Sequence, residues 1–478
     1  MGGGKRILGG EELLNPSVLN EREDMFNVKV DVEYTKKTSP GLTKEVIEEI
    51  SKSKDEPAWM LEHRLKCLRI FETWHEPRFG VDIADLKVDE IVAYLKPDAQ
   101  KARSWDEVPK EIKEAFEKLG IPEAERKILA GVGAQYDSET VYQNIKKELE
   151  SIGVVFLDMD TALHKYPDMV KDHFMKVVKP TLHKYAALHG AVWSGGSFVY
   201  VPKGVKVPLP LQGYFMMGAP GAGQFEHTLI IADEGSEVTY IEGCSAPRYN
   251  ILNLHAGAVE ILVRKGAKVK YITIQNWSKN TYNLNTKIAV VEEEGIMEWV
   301  SGSFGSFKTM LYPATMLKGK GGTGSFLSVT YAGKGQHLDT GAKMIHLAPF
   351  TTSVVDARSI SSGGGWAFYR GLLHISEKAR HSRSTVRCSS LMLDNRSRAD
   401  TLPIIEVMNN ESDVGHEARI GRISDEQIFY LMSRGLNEQQ ARELIVRGFF
   451  EPIIKELPLE YAVELNRLVS LEMESSIG

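Results

Sequence analysis

The chain has 478 residues, of which 42% are hydrophobic, 26% charged and 9% aromatic, with a net charge of −6. That length supports two or three domains with sizeable cores, and the acidic balance argues against a general nucleic-acid footprint, which would be basic. No apolar run reaches the roughly eighteen residues of a membrane span, and the start Met1-Gly-Gly-Gly-Lys-Arg lacks the apolar core of a secretory signal.

The three cysteines, at 67, 244 and 388, cannot form a disulfide framework and point to a reducing, cytoplasmic compartment. There is no CxxC, so a permanent four-thiolate cluster within one chain is excluded. Any metal centre must draw on non-cysteine ligands, a second chain, or both, and would be labile.

In chain order, residues 1–42 read as a flexible N-terminal segment and residues 43–190 as a helical N-terminal domain. Thr43 is placed to cap one helix, and Pro57 opens a second whose stripe is Met60, Leu61, Leu65, Leu68 and Phe71. Cys67 lies beside that stripe and reads as a small buried hydrophobe. A third helix is expected from Pro109 to Leu119, and Ser138 reads as the cap of a fourth running to Ile152.

From about Gly195 the helical period stops and short alternating apolar runs take over. The turns repeat: Pro202-Lys-Gly204, Asp233-Glu-Gly235 and Arg264-Lys-Gly266 each precede a similar strand, with Glu293-Glu-Gly295 and Lys320-Gly-Gly322 as diverged copies. The period is about thirty residues, within the range of solenoids. A parallel β-helix over 191–420 is therefore expected, its coils sharing one core because a single coil cannot bury its own face. The competing reading is an antiparallel sandwich with similar turns. Thr340-Gly341 reads as a further copy, out of period.

Residues 421–478 return to helical patterning. Ser424 and Asn437 open two helices, with stops at Gly435 and Gly448, and Pro452 and Pro458 punctuate two further short ones. Phe449-Phe450 is either core or a docking surface for another protein.

Four features invite chemistry. Gly218-Ala-Pro-Gly-Ala-Gly223 is glycine-rich but lacks the lysine of a P-loop, so any ATP hydrolysis belongs to a partner. Cys244 sits at a strand end beside Glu242, and is either structural or accessible enough to accept sulfur. Cys388 has Arg380, Arg383 and Arg387 nearby in sequence, which would favour its thiolate if they lie close in the fold. His416-Glu417 offers an imidazole and a carboxylate, but neighbours on a strand face opposite ways.

Taken together, several longer stretches resemble the SufB/SufD family of the SUF iron–sulfur cluster assembly machinery. They are the run 179–205 with His-Gly-Ala-Val-Trp-Ser-Gly-Gly at its centre, Tyr240-Ile-Glu-Gly-Cys-Ser-Ala-Pro247, Thr273-Ile-Gln-Asn-Trp277, Gly415-His-Glu-Ala418, and Glu456-Leu-Pro-Leu-Glu-Tyr-Ala-Val-Glu464. Cys388 and Glu417 favour the SufB branch. The resemblance implies a right-handed parallel β-helix flanked by helical N- and C-terminal domains. It also implies a role as scaffold: sulfur and iron are received, a labile cluster is built, and the cluster passes to apo iron–sulfur proteins.

By the same resemblance, Cys244 is the sulfur acceptor, Gln275, Trp277 and Lys287 line the sulfur path, and Cys388, Glu417 and His416 hold the nascent iron–sulfur cluster. The implied partners are a SufC-like ABC ATPase on the C-terminal helices, a SufD-like paralogue or second copy through the β-helix, and a cysteine desulfurase. A reduced flavin is an associated cofactor. The chain departs from the family's Tyr-Phe-Arg-x-Asn at Tyr214-Phe-Met216-Met-Gly218, losing a charge and an amide. Two alternatives stand beside this reading: a structural SufD-like partner of the same complex, and a carbohydrate-active β-helix enzyme, which would need paired carboxylates on one coil.

Overall fold

A computed structural model describes residues 29, 31–119, 121–457, 462 and 466–470. Its core is a parallel β-helix rather than an antiparallel sandwich. From Leu211–Met216 onward each coil sends one strand to a ten-stranded sheet and one to a thirteen-stranded sheet, and every pairing between coils is parallel. The repeating turns form one corner of the coil. Gly204, Gly235 and Gly266 adopt φ of +71°, +65° and +64°, the region closed to most side chains. Their N–H groups donate to the next coil's corner, on Glu234, Lys265 and Glu293, at 2.8, 2.9 and 2.8 Å.

In the diverged copies the left-handed residue moves one place earlier, to Glu294 and Gly321. Thr340-Gly341 is not a copy of this corner. It joins strands His337–Thr340 and Lys343–His346 on the opposite sheet, where a Cβ on Gly341 would lie 1.8 Å from the carbonyl of Arg370. The glycine there serves close backbone approach.

The N-terminal region departs most from expectation. Residues 31–42 include a strand, Tyr34–Lys37, paired with Leu95–Pro97. The helices capped by Thr43 and opened at Pro57 form as expected, over Lys44–Ser53 and Ala58–Thr73, and Cys67 is fully buried. Ser138, however, caps no helix. Strands Gly131–Tyr136 and Glu139–Ile145 make a hairpin, with Asp137 at φ +49° in its turn. The first of these pairs in parallel with Leu211–Met216, so the region read as helical supplies the first coil of the core. The antiparallel partner Glu139–Ile145 then closes that edge of the sheet, as Val155–Asp158 does for the other.

At the other end, helices Asp425–Ser433 and Glu438–Ile454 pack on the outer face of the ten-stranded sheet. Gly448 does not stop the second helix, which runs on through Pro452. Phe450 is core, meeting Phe304 edge-on, while Phe449 is partly covered and its carbonyl accepts from Arg358. The exposed apolar groups are instead Phe429, Tyr430 and Leu444, at 73%, 56% and 51% exposure. Pro458 lies outside the described residues.

Candidate functional site

Alternate residues of each strand face the lumen, and the parallel register lines them up in columns. One runs Cys244, Gln275, Ser303, Thr330, Ser359, Ser390. Its neighbour runs Glu242, Thr273, Ser301, Ser328, Ala357, Cys388. All are buried. Cys244 and Cys388 thus sit in one lumen, five coils apart, or about 24 Å at the usual strand spacing. Small hydroxyl residues occupy most positions between them.

At the Cys244 end the lumen is strongly polar. Glu242 accepts from Lys287 at 2.5 Å, from Thr273 at 3.1 Å and from Tyr271. Burial pushes its carboxyl up, but the Lys287 ammonium outweighs this and holds it below the usual range. Cys244 is only 1% exposed, and burial pushes its thiol well above 9, reinforced by Glu242 and Glu226 and by a hydrogen bond to Glu242. It is therefore a protonated thiol held against an ionised carboxylate.

Gln275, next to Cys244 in its column, accepts from Asn283 at 2.6 Å. Asn283 contacts His255 at 2.8 Å, and His255 contacts Glu226 at 2.5 Å and lies against Trp277, with ring centres 4.4 Å apart. The structure thus brings Cys244, Gln275, Trp277 and Lys287 into one buried neighbourhood. Sequence reasoning missed Glu226, His255 and Asn283. Asn283 and His255 lie on strands and Glu226 in the short link between two, and nothing in their local sequence marked them.

The two departures in Met216 and Gly218 do not enter this neighbourhood. Met216 faces away from the lumen into the outer core, and a Cβ on Gly218 would meet the Tyr136 hydroxyl at 1.9 Å. The glycine-rich loop is no phosphate cradle either. Its Gly218 and Ala219 N–H groups already donate to Asp137, at 2.7 and 3.3 Å.

At the far end, Cys388 is 2% exposed and lies against the Tyr369 and Thr401 hydroxyls. Burial pushes its thiol up to about 11, against the lowering effect of those hydroxyls. The nearby arginines do not favour the thiolate: Arg387 points outward and Arg383 is exposed. Arg387 instead pairs with Glu417 at 3.5 Å, and Arg419 does so at 2.5 Å. Glu417 therefore lies on the opposite face of the sheet from Cys388. His416 shares the lumen-side parity of Cys388, but it pairs with Val386, and Ala418 is the residue beside Cys388. Among the described residues no three His, Cys, Asp or Glu groups converge as a metal site.

The strands carrying this end are open. Among the described residues, Arg398–Val407 pairs only with Trp366–Ile375, and Asp413–Arg422 only with Arg383–Met392. Leu402, Ile404, Ile405, Val407, Met408 and Ile420 are exposed there.

The fold and site define a β-helix with two thiols in one lumen. The buried glutamates Glu226, Glu242 and Glu260 are tied to His255, Lys287 and His227, unlike the paired carboxylates of a glycoside-cleaving groove. Residues 215–449 match the SUF system FeS cluster assembly SufBD core domain, and residues 44–212 the SufBD protein N-terminal region. The chain is 56% identical over 438 residues to the iron–sulfur cluster assembly protein SufB of Bacillus subtilis (strain 168), covering 92% of this chain and 94% of that one. It is 55% identical, with the same coverage, to an iron–sulfur cluster assembly SufBD family protein of Staphylococcus haemolyticus (strain JCSC1435). The chain belongs to the SufB/SufD family of iron–sulfur cluster assembly proteins.

Proposed function

We propose that the chain is the cytoplasmic scaffold on which a labile iron–sulfur cluster is built, sulfur entering at Cys244 and the cluster forming at Cys388. The observation that carries this is the register: two thiols in one lumen, joined by columns of small buried hydroxyl residues. Sulfane sulfur arrives when Cys244 sulfur attacks the outer sulfur of a donor persulfide. The donor's S–S bond breaks, its inner sulfur leaves as thiolate, and the Cys244 proton passes to Glu242. Gln275, Trp277 and Lys287 fix the geometry of this step. Reduction of the sulfane sulfur to sulfide takes two electrons from a dithiol reductant in solution, which leaves as the disulfide.

Iron is held by Cys388 with His416 as the nearest further ligand on the lumen side. Glu417 joins only if its pairs with Arg387 and Arg419 open. The remaining ligands come from a second β-helix, this chain's own copy or a SufD-like paralogue, docked on the open coil. The finished cluster passes to apo-proteins because this ligand set is incomplete. A SufC-like ABC ATPase docks on the exposed apolar face of the C-terminal helices, and a cysteine desulfurase supplies the persulfide. The glycine-rich loop, filled by Asp137, does not fit a flavin's phosphate, and no step here runs through a flavin.

Anaerobic assembly with iron and either inorganic sulfide or the desulfurase separates the two thiols. Cys388→Ala should abolish the visible cluster absorbance with both sulfur sources. Cys244→Ala should abolish it only with the desulfurase. Unaltered cluster formation in Cys388→Ala would sink the assignment.

A further inference from the structure

Outside the lumen, between the thirteen-stranded sheet and the segments around Phe79 and Val177, lies a cavity of about 510 Å³. Of its lining only Lys287, whose ammonium turns to Glu242 in the lumen, belongs to the sulfur chemistry. Its lining is mostly apolar, with Leu284, Ile288 and Met310 from the sheet and the rings of Phe79 and Tyr312. Size and lining are those of a small-molecule site.

The charge of this cavity is one-sided. Lys176, Lys179, Lys287, Lys318 and Lys343 contribute to its wall, and no aspartate or glutamate does. Lys287 is neutralised by Glu242. Among the described residues, no carboxylate is in ion-pair contact with the other four. Lys343 is the most telling. Its Nζ lies 5.5 Å from the Tyr312 ring centre and 6.0 Å from that of Phe79, ring faces in place of a counter-ion, and burial pushes its pKa down. An ammonium covered without a counter-ion is costly, and a bound anion relieves that cost.

Along the strand that forms one wall, Leu284, Thr286, Ile288 and Val290 present their side chains to the cavity, while Asn285 and Lys287 between them turn inward with Asn283. Across from that strand, His183 Nδ1 accepts the Ala186 N–H at 3.1 Å, which leaves the ring's proton on Nε2, facing Thr286 Oγ1 at 3.1 Å. The imidazole is neutral and adds no negative charge to the wall.

We propose that this cavity binds a small amphipathic anion: an alkyl or aryl body lying on the apolar wall, with a carboxylate or phosphate head at Lys343. Calorimetric titration of the full chain tests it with decanoate and decyl phosphate as anionic probes and decyltrimethylammonium as the cationic control. The expected result is one-to-one binding of at least one anion, with the better head group naming the source chemistry, and no binding of the cation. Lys343→Met, which keeps the apolar stem, should weaken the anion about tenfold, as loss of one charge-assisted contact does. Ile345→Trp, which fills the cavity, should abolish binding with the thermal unfolding midpoint kept. Lys343→Gln replaces the methionine variant if that one fails to fold. The proposal is overturned if neither anion binds at millimolar concentration, if the cation binds equally well, or if the Lys343 variant binds like the parent chain.

Discussion

Lys287 and Glu242 are both fully buried and bonded to each other at 2.5 Å, inside a lumen lined largely by aliphatic, aromatic and small hydroxyl side chains. Removing one partner of such a pair leaves the other charged and unsolvated, at a cost of roughly 3–5 kcal/mol, whereas replacing both with neutral groups of similar size is far cheaper. Lys287→Met should therefore lose about that much stability in urea unfolding, and Lys287→Met with Glu242→Gln should recover most of it. Because the folded-state pKa of Glu242 is depressed, its stabilisation is present at neutral pH and lost as the pH falls through the carboxylate range. Both variants should still fail in desulfurase-driven assembly, since the proton acceptor of Cys244 is lost or disarmed. A single variant as stable as the parent chain would remove the physical basis of this pair.

At this scale the sequence was informative about identity and poor on geometry. The run Tyr240–Pro247 marked Cys244, and the family resemblance marked Cys388. Nothing local could show that Glu417 turns outward to Arg387 and Arg419. That depends on which strand pairs with which, and in what register.

At the scale of elements, the glycine corners were legible because the left-handed turn demands a residue type, and the demand recurs with every coil. The hairpin Gly131–Ile145 was not legible, because its partner is Leu211–Met216, contributed some seventy residues later. Ser138 has the residue type of a helix cap, but its Oγ accepts from the Leu95 N–H at 3.0 Å. Similarly, Phe449-Phe450 drew attention as a docking pair while the exposed apolar surface lies one turn away. Phe429, Tyr430 and Leu444 stand out from two helices whose other faces are committed to Phe304, Val329 and Ile360 in one core. Phe429→Ser with Leu444→Ser should abolish co-purification with the SufC-like ATPase and leave the unfolding free energy within about 1 kcal/mol of the parent, as surface changes do. Retained co-purification would move the ATPase to another face.

For the whole molecule, the two ends of the β-helix are built differently. The N-terminal end is finished by antiparallel strands, Glu139–Ile145 on one sheet and Val155–Asp158 on the other. The C-terminal end stops on two ten-residue strands whose outer edges pair with none of the described residues, and it carries a set of exposed aliphatic side chains. Long apolar edges of this kind template pairing with another chain, and the proposed cluster site beside them has too few ligands within this chain. One interface would answer both deficits, completing the sheets and bringing groups from a second β-helix towards Cys388. Ile404→Asp with Met408→Asp places two charges on that end, Ile404 being in register with Leu372 on the face turned away from the lumen. Multi-angle light scattering of the chain alone, and co-purification with a SufD-like paralogue, should both show association in the parent and its loss in the double variant, with the circular dichroism unchanged. Cluster yield should fall with it even though Cys244 and Cys388 are intact. Association that survives both aspartates would place the second chain elsewhere and leave Cys388 to find its ligands without this edge.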